Sequence, residues 1–224
     1  MPRVARIYLE EGVFHILARG NNKQWIFHDD NDFFCYKRLL RELKEEQPFK
    51  LYHYCLMNNH VHLLLEANPK TQLSRLIKRL NLSYCIYYKQ KYGYAGHLWQ
   101  DRFKSLLIEK DTYLLACGLY IERNPLRANM VSEPGDYLHS SYAYYVGRRN
   151  DVSIDCDPLY DSLGKDDKIR QKEYRCLTLD KDEDISENTF NKLFLGSPEF
   201  IQDMESKFDV VNTRAGKGRP KHEK

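Results

Sequence analysis

The stretch Tyr52–Glu66, YHYCLMNNHVHLLLE, decides how the rest of the chain is read. It holds two strand-like runs, 51–57 and 60–66, separated by Asn58 and Asn59. Asparagine tolerates the left-handed conformations that tight hairpin turns use, so the pair predicts a two-residue turn. On a strand, residues two apart share a face. His60 and His62 therefore fall with Leu64 and Glu66, while Val61, Leu63 and Leu65 point the other way and would serve the core. That puts two imidazoles side by side on the face the core does not use. Neutral imidazole ligates divalent metals, and two on one strand can chelate a single ion. Two ligands rarely suffice, so the pair either decorates a strand or needs a donor from elsewhere.

Working outward, residues 13–19 (VFHILAR) alternate as a strand and GNN at 20–22 reads as a turn. Acids at 29–32 cap a helix over 29–47, and a second helix over 71–92 carries Leu73, Leu76, Ile77, Leu80, Tyr84 and Tyr87 as its apolar stripe. KSLLIE at 104–109 is a strand. A helix capped by Asp111 or Thr112 follows over about 112–124, stopped by Pro125. The order predicts an α+β fold: a ferredoxin-like β-α-β-β-α-β core, one antiparallel sheet with helices on one face, and one extra helix beyond it. The expected division is a main domain over 1–145, a small helical region over 146–210 and a flexible basic tail over 211–224. In the second of these, Ser197 and Pro198 form a good helix start.

The extra helix, TYLLACGLYIERN, offers the missing donor. Tyr120 and Asn124 are four apart and share a helical face. An amide oxygen can complete a magnesium or manganese site with two histidines, and Tyr120 would then sit beside the ion. Tyr113 is the rival tyrosine, but Cys117, four residues on, is a poor magnesium ligand. Taken alone, Tyr120 also reads as an ordinary packed tyrosine.

Composition sets the limits. The chain has 224 residues, 42% hydrophobic and 30% charged, with no apolar run near the roughly 18–20 residues that span a bilayer. The N-terminus lacks the apolar segment of a signal peptide, so a cytoplasmic protein with no membrane partner is expected. The six cysteines are scattered, with no C-x-x-C pair, which fits reduced thiols. The net charge of +3 is small, but residues 70–104 gather Lys70, Arg75, Lys78, Arg79, Lys89, Lys91, Arg102 and Lys104 against one acid, Asp101. That local excess suggests a polyanion, and the 17 tyrosines add capacity to stack on bases.

Three motifs in this order, MNNHVHLLLE, GHLWQDRFKS and YIERNPLRANMV, with RGNNKQWIF at 19–27 before them, resemble the single-tyrosine HUH transposase family. The similarity is strongest to its branch of REP-associated tyrosine transposases and covers roughly residues 5–145. It implies a ferredoxin-like core, His60 and His62 as metal ligands, Tyr120 as nucleophile and Asn124 as third ligand. Relatives usually have proline where Asn58 stands and often glycine where Asn129 stands. Neither change removes a ligand, and asparagine reaches the same left-handed conformation as glycine.

The implied activity is transesterification on single-stranded or hairpin DNA, at palindromes like REP elements, through a 5′-phosphotyrosine link and with Mg2+ or Mn2+. A tyrosine titrates near 10, so only about one in a thousand is ionised at neutral pH and help from an ion is expected. Trp99, Arg102 and Lys104 lie in a family motif and are candidate DNA contacts, although Trp99 could instead be core. Arg75, Lys78 and Arg79 read equally as DNA contacts or a solvated helix face, and Arg19 and Arg127 are weaker candidates. Glu66 either positions a water or is a solvated strand-end acid. Lys217–Lys221 (KGRPK) resembles a minor-groove hook or is simply a basic tail. A regulatory DNA-binding protein of the same fold is the alternative function. A small-molecule metal hydrolase would leave Tyr120 and the basic segments without a role. Nucleoid association follows from the DNA reading, and monomer and homodimer both remain open.

Overall fold

The computed structural model describes residues 11–180, 185, 189 and 191–213. Strands β1 (Gly12–Arg19), β2 (Phe49–Met57), β3 (His60–Ala67) and β4 (Lys104–Ile108) pair antiparallel, in the order β2-β3-β1-β4. Helix α1 (Asp30–Glu46) joins β1 to β2, and α2 (Leu73–Tyr92) joins β3 to β4. This is the expected ferredoxin-like succession. A short strand, β5 (Phe194–Leu195), adds parallel to β4 at the far edge.

Local chemistry sets these elements. Asp29 accepts from the Asp32 amide while the Asp32 carboxylate accepts from the Asp29 amide, a reciprocal cap that starts α1. Phe33, Tyr36, Leu40 and Leu43 then recur every three or four residues and bury against Leu76, Leu80 and Tyr84 of α2. Together they cover the sheet face formed by Phe14, Ile16, Val61, Leu63 and Leu65.

The two helices of the core lie on one face of the sheet, as expected. α3 (Lys110–Glu122) lies on the opposite face, where Leu114, Cys117 and Ile121 pack on Val13, Leu64, Leu106 and Ile108. Its sequence is apolar nearly all round, as a helix needs when a sheet lies on one side and more chain on the other. Its start also differs from expectation. Glu109 occupies the cap position, and its carboxylate accepts from the backbone and hydroxyl of Ser197, not from α3. Ser197 in turn caps α7 (Pro198–Phe208), as the sequence suggested. α3 ends at Glu122, just before the proline expected to stop it, Pro125. The proline sits early in a further turn, α4 (Asn124–Arg127), where a missing N–H costs nothing. Asn129, at φ 53°, closes that turn in the left-handed conformation expected of it.

The two-residue Asn58–Asn59 turn forms between β2 and β3 as expected, but not with the left-handed backbone expected of it: neither residue has a positive φ. Tertiary hydrogen bonds hold it instead. The Asn59 carbonyl accepts from Gly20, and the Asn58 carbonyl accepts from Ile26 and Phe27, so the loop after β1 grips the hairpin tip. A negative φ at position 58 is also one that proline can adopt.

The chain after 141 folds back on this unit through α5 (Tyr142–Tyr145) and α6 (Asp167–Leu179). His53 of β2 is fully buried between Glu122 of α3, 3.0 Å from Nδ1, and Asp157, 3.1 Å from Nε2. Ser141 donates to one Glu122 oxygen at 2.5 Å and Tyr174 of α6 to the other at 2.8 Å. Gly118 makes room for this: a Cβ there would lie 2.5 Å from His53 Nε2. Arg123 adds hydrogen bonds to the Leu177 and Thr178 carbonyls at the end of α6. Elsewhere the returning chain lies along β2, with the Leu56 amide donating to His139, Ser141 to Tyr54 and Asp155 to Leu51. At the opposite edge, the side-chain amide of Asn212 accepts from the Leu193 and Phe194 amides and donates to the Phe194 carbonyl. The basic segment Lys217–Lys221 lies outside the described residues.

Burial by itself would lower the His53 pKa. The hydrogen bonds and charges of Asp157 and Glu122 outweigh it and raise the value to about 9. A group raised above its unfolded value, about 6.5, contributes stability that is complete below that pH and is lost as pH climbs through about 9. Thermal melts should therefore show the midpoint falling across this window in the wild type and less so in His53→Gln; an unchanged wild-type midpoint would mean that His53 is neutral. At neutral pH, Asp157→Ala should cost about 3–5 kcal/mol in denaturant unfolding, because it strands a buried charge.

Candidate active site

The sheet register places the site. In the β1–β3 ladder Arg19 faces His60 and Leu17 faces His62; in the β1–β4 ladder Leu17 also faces Lys104. Partners across a ladder share a face, so Arg19 and Lys104 flank the two histidines at one end of the sheet. α3 starts at the other end, where Lys110 pairs with Glu66 at 2.6 Å, and runs back across this face to bring Tyr120 over the histidines. The Tyr120 ring meets that of His62 edge-on, centroids 6.5 Å apart, and the His60 and His62 rings are 4.8 Å apart. All three come from one chain. The Arg127 guanidinium lies 4.3 Å from the centre of the Tyr120 ring.

The histidine face is roofed by α3 instead of open to solvent, which corrects the first expectation. His62 is 3% exposed and buried, His60 only partly so. Burial, with Arg19 beside it, lowers the His60 pKa to about 4; burial and the neighbouring His60, His15 and Arg19 hold His62 well below its usual value. Both rings are neutral at pH 7, the form that ligates metal. The Asn59 side-chain oxygen lies 2.5 Å from His60 Nδ1. An amide oxygen only accepts, so His60 carries its proton on Nδ1 and its lone pair on Nε2.

Asn124 lies one turn beyond Tyr120, and its NH2 group donates to the Tyr120 and Ile121 carbonyls at 3.0 Å. That leaves its Oδ1 as the atom suited to a ligand. Among the described residues, no three of His, Cys, Asp and Glu cluster as a metal site. Two neutral imidazoles and an amide oxygen fit a magnesium or manganese ion.

The remaining candidates divide. Arg19, Arg102 and Lys104 are exposed at or just before the strand end that carries the histidines. The loop before them is laid along the end of β1 by Gln100 N–H to the Arg19 carbonyl and Asn21 N–H to the Leu98 carbonyl. Trp99 packs, as the alternative offered for it had it: its ring lies 6.1 Å from that of Tyr84 and its N–H donates to the Asn81 carbonyl. Arg75, Lys78 and Arg79 are exposed on α2, across the sheet from the histidines, and Arg79 makes a two-pronged pair with Glu46. Glu66 is tied to Lys110 and Tyr52, away from Tyr120. Tyr113 sits two helical turns before Tyr120, toward that same end.

Sequence reading passed over His15. It lies on the same face of β1 as Arg19, 1% exposed, with Nε2 2.9 Å from His62 Nδ1. Its period-2 phase with Arg19 was the available signal. Burial, then the proximity of His60, lowers its pKa to about 3.

Residues 9–124, just over half of the chain, match the family described as transposase IS200 like, and the chain belongs to that family. A protein of Haemophilus influenzae named as a candidate REP-associated tyrosine transposase is 27% identical over 145 residues, which is 58% of this chain and 77% of that one. A solved REP-associated tyrosine transposase bound to a REP hairpin shares the fold, with a TM-score of 0.56 and 17% identity over 70% of this chain and 96% of that one. No helix among the described residues is long and apolar enough to cross a membrane.

In a pH titration followed by NMR, the His60 ring should hold its chemical shift from pH 8 down to about 5.5 and titrate near 4. A midpoint near 6.5 would mean an open, hydrated ring.

Proposed function

We propose that the protein is a metal-dependent single-stranded DNA transesterase that cleaves and rejoins strands at hairpins. The observation that carries this reading is the meeting of Tyr120 with His62 on one sheet face, beside His60 and under Arg127. A family membership alone would not require those residues to converge in this chain. The relative solved with a REP hairpin supports a folded single strand as the substrate.

The Tyr120 oxygen attacks a backbone phosphorus. A bond forms between that oxygen and phosphorus, the bond to the 3′ oxygen breaks, and the phenol proton ends on the departing 3′-hydroxyl. The product is a 5′-phosphotyrosine link, which a second 3′-hydroxyl can attack to rejoin DNA, so no ATP is consumed. Arg127 stabilises the negative charge that grows on Tyr120 as its proton is lost. Arg19 and Lys104 hold flanking phosphates and so fix where the strand crosses the histidines. His60, His62 and Asn124 would hold a magnesium or manganese ion, which neutralises charge on the scissile phosphate and aligns it for attack.

Labelled hairpin DNA from beside the gene, incubated with protein and manganese and run on a denaturing gel, should give a protein-linked band. The band should vanish in Tyr120→Phe and in either histidine variant. Hairpin binding without any band, in wild-type protein on several native hairpins, would overturn the enzymatic reading in favour of a regulatory binder. Lys104→Gln and Arg19→Gln should each weaken hairpin binding. Each should also reduce the slope of log affinity against log salt by about 0.7–0.9, the loss of one phosphate contact.

A further inference from the structure

The loop between β1 and α1 holds an exposed tryptophan in an otherwise fixed setting. On one side of Trp25, the Gln24 side chain donates to the Tyr94 hydroxyl and the Leu98 carbonyl at 3.1 and 3.3 Å. On the other, Ile26 is fully buried. The Tyr88 hydroxyl donates to the Trp25 carbonyl at 3.3 Å, so the backbone is held while the indole, 54% exposed, meets water.

A lone exposed apolar side chain is ordinary. This one has company. The Trp25 ring centre lies 6.1 Å from that of His28, which lies 4.9 Å from that of Tyr92, itself 38% exposed. Among the described residues, Trp25, Phe34 and Tyr92 are the exposed Phe, Tyr and Trp side chains, and two of the three bracket His28. The Tyr92 hydroxyl is anchored on Asp32 at 2.7 Å. Lys91, 5.0 Å from the Tyr92 ring, is spent on Asp29 and Asp32, so the patch offers ring surface more than charge.

The patch adjoins the site. The same loop grips the β2–β3 hairpin tip, where Ile26 and Phe27 donate to the Asn58 carbonyl, two residues before His60. The loop begins at Arg19, the residue opposite His60, and Lys23 is exposed between Arg19 and Trp25. Asn22 and Lys23 take φ values of 50° and 60°, a backbone that lysine rarely adopts, so the chain bends sharply there. Leading away from the histidines, the loop thus presents a cation, a second cation and an indole. An unpaired nucleic-acid strand matches that succession, because its phosphates take cations and its bases stack on aromatic faces.

We propose that Trp25, backed by His28 and Tyr92, stacks on an unpaired nucleobase of the DNA strand as the strand leaves the histidine site. The inference rests on the reading of the substrate as a folded single strand, and adds where one of its unpaired bases lies. Every base has a flat face, so this contact fixes the path of the strand and not its sequence.

The test uses full-length protein and a labelled DNA hairpin with unpaired flanks, without divalent metal so that the strand stays whole. The protein has two tryptophans, and Trp99 is packed. Binding should therefore quench the emission of Trp25 in wild type, and the quench should be absent in Trp25→Phe. Trp25→Ala should bind about 5- to 100-fold more weakly. Its slope of log affinity against log salt should not change, since no phosphate contact is lost. Its thermal midpoint should not change either, which a merely structural role would move. One abasic nucleotide in the flank should weaken wild type by a similar factor, abolish the quench and leave Trp25→Ala unaffected, as expected of two groups in contact. Should Trp25→Ala fail to fold, the wild-type quench and its loss with one abasic nucleotide decide the matter. A folded Trp25→Ala that binds as tightly as wild type, or abasic nucleotides that cost wild type and variant equally at every position, would overturn the proposal. Wild type that shows the stacking pattern but forms no protein-linked band with manganese would leave the stack standing and remove the transesterase reading. Wild type that binds none of the hairpins would overturn both.

Discussion

The arrangement of the site depends on a buried ionic contact that takes no part in the chemistry. His53, held charged between Glu122 and Asp157, joins β2, the end of α3 and the chain that returns after 141. Glu122 is two residues from Tyr120, so whatever fixes Glu122 fixes the tyrosine to within a fraction of a helical turn. Such buried ions add little net stability, because taking charges out of water nearly cancels their attraction. Their effect is on geometry. Few other placements of α3 on this face would satisfy Glu122, and the missing Cβ at Gly118 lets helix and imidazole meet closely. The segment after 141 thus acts on the tyrosine at a distance, through Ser141, Asp157 and Tyr174.

Four histidines lie on this one face of the sheet, and their surroundings divide them into two kinds. His53 has carboxylates on both nitrogens and keeps its proton to about pH 9. His15, His60 and His62 have burial and one another for company, or the cation Arg19, and each is driven neutral. The same residue type is therefore a fixed cation in one place and a neutral imidazole about two residues along the strands. Neither role follows from histidine itself, only from what the neighbouring strands and helix bring to each ring.

Much of this was legible in the sequence, for identifiable reasons. Period-2 alternation around His60 and His62, the acids before α1 and the apolar stripe of α2 are local signals, and they gave the order of the core elements. The shared helical face of Tyr120 and Asn124 was also readable, because a four-residue spacing is a local fact, whereas the pairing of Tyr120 with the histidines came from the family resemblance of the motifs. The roof over the histidine face was not. Whether a sheet face meets water or a helix is decided by where α3 returns, and its all-round apolar sequence says only that it is buried. His15 was hidden for a related reason: its diagonal contact with His62 exists only once the β1–β3 register is known. The Asn58–Asn59 turn was placed correctly, but its left-handed backbone was not, because a local preference yielded to three tertiary hydrogen bonds. His53 needed a partner at 122 and another at 157, a pairing that no spacing rule announces.

The finish of the two sheet edges has a consequence for how copies of this chain meet. An exposed strand edge is a template on which another chain can add a strand, and it favours aggregation. Here the outer side of β2 is already hydrogen-bonded along Leu51, Tyr54 and Leu56, and Asn212 occupies the outer side of β5 with its amide, like a one-residue strand. Among the described residues, a large part of both sheet edges is therefore already occupied. Where these bonds are made, another chain cannot add a strand, which narrows the backbone surface through which copies could pair.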